Sequence, residues 1–144
     1  MDFTECITFA MQNPLTYIAT TDGDQPRVRA FAMWFADATG FYYHTGTTKS
    51  VWRQLQKNPR VELCFYAPDT PGAGKMLRIS GAIEIMRDPA LADRLLRDRP
   101  WLKSILTDTT VNTGLAIFRI AHGEARFWTM ENNLREQDAP RVIF

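Results

Sequence analysis

Apolar residues recur at helical spacing in Phe3, Ile7, Ala10 and Met11, and Asp2 with Glu5 has the spacing of a capping box, so the pattern predicts a helix that ends at Asn13-Pro14. Leu15 to Thr21 then reads as a strand, and the turn TDGDQP leads into a long extended segment, Arg27 to Phe35, that pairs with it as a hairpin. FYYHT predicts a third strand. It is followed by a helix from Thr48 to Gln56 that buries Val51, Trp52 and Leu55 and stops at Asn58-Pro59. Val61, Leu63 and Phe65 alternate with polar neighbours in a fourth strand running to Ala67, and the loop PDTPGAGK breaks it. The clearest period of two lies in Met76 to Arg87, where Leu77, Ile79, Ile83 and Ile85 share one face. Asp88-Pro89 is an N-cap followed by a proline in the first helical position, opening a helix from Ala90 to Arg97, with a further short turn from Trp101 to Leu106. Strands Leu115 to Ala121 and Glu124 to Thr129 meet at His122-Gly123, and the final Arg-Val-Ile-Phe suits an edge strand of this domain or of a partner subunit.

The sum is a mainly β fold of six to seven mostly antiparallel strands with a few short helices, because most links are too short for parallel crossovers. Such a sheet is expected to close into a small barrel, with residues 1–144 forming a single domain. The composition, 45% hydrophobic and 23% charged, is that of an ordinary globular chain. A net charge of +1 with both signs interspersed gives no field that would draw nucleic acid or an anionic membrane, so any positive site must be local. No apolar run approaches the length of a bilayer span, and no basic segment precedes the first apolar residues; a cytoplasmic location is expected. Cys6 and Cys64 are far apart with two histidines for company, which predicts no metal site, and Cys64 in VELCFY reads as a core filler.

Chemistry concentrates in HTGTTKSVWRQLQKNP, His44 to Pro59. A hydroxyl-rich turn leads into a helix start, and Lys49 in the first turn places a cation where the helix dipole disfavours one, an arrangement that an anion nearby would explain. The same residues also suit an ordinary capped helix with a surface lysine. In the second strand, Arg27, Arg29, Phe31, Met33 and Phe35 share one face, which begins basic and becomes apolar. That face suits a phosphate at one end and a planar ring farther along, and equally a solvated strand end. His44 is a candidate for the pocket and His122 for a turn. No GxGxxG fingerprint is present, so a nicotinamide would bind transiently rather than in a Rossmann domain.

Taken in order, the first helix and hairpin, QPRVRAFAMWF, ATGFYYHTGTTKSVWRQLQKNPRVELCFY and MLRISGAIEI resemble the flavin mononucleotide (FMN)-binding split-barrel family, the pyridoxamine 5′-phosphate oxidase-like proteins, over roughly residues 1–130. The resemblance implies an FMN-binding oxidoreductase acting on a small substrate, with a reduced nicotinamide or another donor reducing the flavin. It implies a homodimer whose subunits share each flavin site. Val28, Arg29 and Ala30 would border the ring and ribityl chain, and Thr45, Thr48 and Lys49 would hold the phosphate. His44 would face the pocket, and Trp128 would line it or pack in the core. Pyridoxamine 5′-phosphate oxidase itself carries a basic C-terminal segment with no counterpart in this tail, so vitamin B6 oxidation is not expected. Two other readings keep the domain but change its ligand or role: a deazaflavin-dependent reductase, and a haem- or flavin-binding module without turnover.

Overall fold

The predicted capping box forms: Glu5 N–H donates to Asp2 Oδ1 at 3.0 Å and Asp2 N–H donates to Glu5 Oε2 at 3.1 Å, so two backbone donors at the start of α1 (Phe3–Gln12) are satisfied. The structure, a computed structural model, describes residues 1–106 and 114–144. Helix α1 buries Cys6, Phe9 and Ala10, and Phe9 meets Phe127 edge to face. Strands β1 (Leu15–Asp22) and β2 (Gln25–Ala32) form the expected hairpin, in register from Leu15 opposite Ala32 to Asp22 opposite Gln25. Its two-residue turn needs a left-handed backbone, which Gly23 supplies at φ 65°.

The segment Arg27 to Phe35 is not one strand. Met33 N–H still bonds Pro14 O at 2.8 Å, whereas Trp34 N–H bonds Tyr42 O at 3.0 Å, and Phe35–Asp37 becomes β3, paired with β4 (Gly40–Gly46). Successive strand residues point to opposite faces, so an outward neighbour would normally be exposed. Here Met33 (2% exposed) enters one apolar cluster and Trp34 (9%) another, and the chain turns a corner between them. Met76 to Arg87 divides in the same way into β6 (Lys75–Ala82) and β7 (Glu84–Met86), with Ile83 N–H bonded to Pro59 O at the corner. Between them lie α2 (Ser50–Lys57) and β5 (Arg60–Ala67), and the chain continues through α3 (Pro89–Asp98), α4 (Leu102–Leu106), β8 (Leu115–Ile120), β9 (Gly123–Thr129) and β10 (Arg141–Ile143).

Ten strands result among the described residues, rather than six or seven, because two predicted strands are each split by a corner and the tail contributes β10. They form a six-stranded sheet, β10-β9-β6-β5-β1-β2, and a four-stranded sheet, β3-β4-β8-β7, antiparallel throughout. The sheets do not close into one barrel: β2 and β10 remain edges of the first, β3 and β7 of the second. At the corners the chain passes from one ladder to the other, and the Tyr43 hydroxyl on β4 donates to Thr16 Oγ1 on β1 at 2.9 Å, tying the two sheets across the core.

Ile18, Leu63, Phe65, Leu77 and Ile79 are fully buried on the inner face of the larger sheet, each stabilising the fold by about 1.5–3 kcal/mol. A second cluster joins Trp34, Phe35 and Tyr42 to Leu95 of α3 and Leu102 of α4. Asp88 accepts from Ala90 N–H to cap α3, with Pro89 in the first turn as predicted. At the other end of α3, Trp34 Nε1–H donates to Asp98 Oδ2 at 2.9 Å, and the Arg94 guanidinium lies 4.0 Å above the Phe35 ring. This fastening sets the position of the next residue, Arg99. No helix among the described residues is long and apolar enough to cross a membrane.

Candidate functional site

A cleft of about 540 Å³ opens between β2, β4, the start of α2 and the α3–α4 connection. Three cationic side chains line it, Arg29, Lys49 and Arg99, and among the described residues no Asp or Glu does. That balance of charge suits an anion. Beside the cations, Phe31, Trp101, Leu102, Ile105 and Leu115 form an apolar wall suited to a flat ring.

Arg29 reaches inward from β2. Its Nη1 donates to Ile18 O at 3.1 Å and Thr20 Oγ1 at 2.7 Å, and its Nη2 donates to Gln54 Oε1 on α2 at 2.7 Å. Burial, and secondarily the charge of Arg27, lowers its pKa, yet a guanidinium stays protonated, so the strand holds a fixed charge against neutral acceptors.

Lys49 is the N-cap of α2 rather than a first-turn residue, since the helix begins at Ser50, two positions later than Thr48. No side chain caps this end. The N-terminus of an eight-residue helix, with its outward N–H groups and partial positive charge, therefore faces the cleft beside the lysine. Thr45, on β4, is 4% exposed and its Oγ1 has no hydrogen-bond partner among the described residues. An orphaned buried hydroxyl costs about 1–3 kcal/mol, which a bound acceptor would offset.

Arg99 enters from the C-cap of α3. Its Nη2 donates to Met33 O at 3.0 Å, and its Nη1 lies 2.6 Å from His44 Nε2. Because a guanidinium only donates, His44 Nε2 must accept, which places the imidazole proton on Nδ1 and leaves the ring neutral. Burial first, then the charges of Arg99 and Lys49, pushes the His44 pKa down to about 4. Trp101 leans over this pair with its ring centroid 6.2 Å from that of His44.

Of the residues singled out from the sequence, Arg29, Ala30, His44, Thr45, Thr48 and Lys49 line the cleft. Val28 and Trp128 do not. Val28, 69% exposed, faces away from Arg29, and half-buried Trp128 alternates with inward Phe127; both lie on the outer face of the six-stranded sheet. His122 sits in the link between β8 and β9. Sequence reasoning missed Gln54, Arg99 and Trp101. Gln54 follows Val51 by three positions, so a polar residue inside the apolar stripe was its one visible signal; Arg99 follows a helix end, where cations are commonplace.

The family model described as pyridoxamine 5′-phosphate oxidase matches residues 4–129, a span that contains every residue lining the cleft. The chain belongs to the pyridoxamine 5′-phosphate oxidase family. Within it, a pyridoxine/pyridoxamine 5′-phosphate oxidase from Anaeromyxobacter dehalogenans is 37% identical over 84 residues, covering 58% of this chain and 40% of the relative. The match thus spans less than half the length of that curated relative. Two solved structures share the fold: a NimC/NimA family protein from Clostridium acetobutylicum, with a TM-score of 0.75 and 22% identity over 98% of this chain and 92% of the other, and an FAD-binding protein from Mesorhizobium loti, at 0.60 and 23% over 84% and 87%. The pyridoxamine 5′-phosphate oxidase family membership and these neighbours agree with the two-sheet architecture described above.

Proposed function

We propose that the protein is an FMN-dependent oxidoreductase, acting as a homodimer on a small anionic substrate. The observation that carries this reading is the cleft with three cations, an apolar wall and, among the described residues, no lining carboxylate, which suits a planar ring attached to a phosphate. Membership of the pyridoxamine 5′-phosphate oxidase family and the likeness to an FAD-binding protein support a flavin.

The residues present fit that group. Lys49, the uncapped start of α2, Thr48 and the unpartnered Thr45 hydroxyl suit the phosphate, and Arg29 adds a charge-assisted contact from the neighbouring strand. When bound, FMN supplies the redox chemistry, taking reducing equivalents from a reduced nicotinamide or another donor and passing them to the substrate. Phe31, Leu102 and Leu115 exclude water along the ring side. Arg99, held at the far end of β2 by Met33 O, suits an anionic group on the substrate, and neutral His44 presents its proton at Nδ1. Haem ligation would call for a free imidazole nitrogen, and His44 Nε2 is engaged by Arg99.

The dimer reading draws on the outer face of the larger sheet. Among the described residues no helix covers Leu15, Tyr17 and Val28, which are exposed there together, and Trp128 lies on the same face. Ala30 belongs to that face and also lines the cleft, so a subunit seated on it would complete the site wall.

Release of the bound cofactor from purified protein and its identification by mass test the reading, together with FMN titrations of Lys49→Ala and Arg29→Ala. FMN is expected, with each variant binding at least about tenfold more weakly, the loss of one charge-assisted contact. Recovery of a deazaflavin or haem, or undiminished affinity in Lys49→Ala, overturns it.

A further inference from the structure

Among the described residues, every side-chain hydrogen bond that Arg29 makes ends on a neutral acceptor. Ile18 O, Thr20 Oγ1 and Gln54 Oε1 receive its donors, and Thr20 and Gln54 are each only 4% exposed. Thr20 Oγ1 also donates to Gln54 Oε1 at 2.7 Å, which fixes the orientation of the amide: the atom that faces a guanidinium and a hydroxyl donor is the oxygen. A carboxylate at position 54 would be a stronger acceptor at the same place, and it would discharge the guanidinium in an ion pair. A neutral amide grips without neutralising.

We infer that Gln54, with Thr20, is a positioning residue for Arg29 whose neutrality keeps the arginine charge available to the ligand, and that this pair confers preference for a phosphorylated over an unphosphorylated flavin. The inference rests on the FMN reading of the cleft. Helix α2 thus contributes twice to one anion: Lys49 and the backbone donors at its start, and Gln54 one turn further in, behind the strand that carries Arg29. Gln54 sits among Val51, Trp52 and Leu55 on the buried face of that helix, where an apolar residue would pack more cheaply, so its presence calls for a polar duty.

The test is a pair of titrations, with FMN and with riboflavin, on wild type, Gln54→Glu and Gln54→Met, with thermal unfolding as a check of the fold. A merely structural role would move both affinities together. Gln54→Glu is expected to fold, to bind FMN about tenfold more weakly and to bind riboflavin within about twofold of wild type, as expected when one charge-assisted contact is neutralised. An unchanged ratio of FMN to riboflavin affinity overturns the inference. Should Gln54→Glu not fold, Gln54→Met replaces it: loss of the acceptor unmoors the guanidinium and lowers the same ratio, and an unchanged ratio again overturns it. A wild type that binds neither flavin refutes the FMN reading instead. Titration with inorganic phosphate then decides the role of Gln54, weaker binding in the variant supporting it and equal binding refuting it.

Discussion

Arg99 and His44 meet across 55 positions of sequence, guanidinium Nη1 to imidazole Nε2, at 2.6 Å. The contact holds the imidazole neutral, and the folded pKa of about 4 lies below the ordinary 6.5. A depressed pKa means that the unfolded chain binds the proton more readily, so stability from this group is fully present above pH 6.5 and is lost as pH falls towards 4. His44 is expected to titrate near pH 4 by NMR, and Arg99→Leu is expected to raise that midpoint. A midpoint near 6.5 in wild type would contradict the contact.

Thr45→Val tests the orphaned hydroxyl. Replacing an unpartnered buried oxygen by a methyl is expected to stabilise the ligand-free protein by about 1 kcal/mol in urea unfolding, while weakening FMN binding. Loss of stability in the ligand-free variant would show that the hydroxyl has a partner.

Ionic strength probes the charge of the cleft. Three lining cations, with no carboxylate among the described lining residues, predict that FMN binds more weakly as salt rises from about 0.05 to about 0.5 M, whereas riboflavin is nearly insensitive. Equal salt dependence of the two ligands would place the phosphate elsewhere.

Val28→Glu addresses the outer sheet face. A carboxylate at this exposed apolar position is expected to shift a dimer towards monomer in sedimentation velocity without lowering the thermal midpoint of the subunit fold. A dimer of unchanged affinity would assign the interface to another surface.

Trp34→Phe removes the indole donor to Asp98 Oδ2 while keeping an aromatic ring in the second cluster. The expected cost is about 1 kcal/mol, with faster hydrogen exchange confined to the last turn of α3.

Much of the fold follows from local pattern. The capping box, the Gly23 turn and the Asp88-Pro89 start are satisfied within a few residues, and the structure forms all three. The corners at Met33-Trp34 and Ile83 leave no such trace, because continuous alternation looks the same whether a strand stays in one sheet or passes into a second. The cleft divides on the same line. His44, Thr45, Thr48 and Lys49 are neighbours in sequence, so their clustering is readable. Arg99 reaches them only because α3 is pinned through Asp98 to Trp34 at the corner before β3, and Gln54 meets Arg29 only once α2 lies against β1 and β2. Contacts of that kind depend on tertiary packing, and residue type alone does not announce them.

The corner at Met33 has an implication for how the site senses the rest of the molecule. Arg99 is anchored to Met33 O at the joint where the chain leaves one sheet, while its own helix is tied through Asp98 to Trp34, the first residue beyond that joint. The cation in the cleft is therefore strung between the two halves of the architecture like the needle of a strain gauge. Substitutions distant from the cleft that loosen this joint are therefore expected to re-aim a charge and to register as altered ligand preference as well as lost stability.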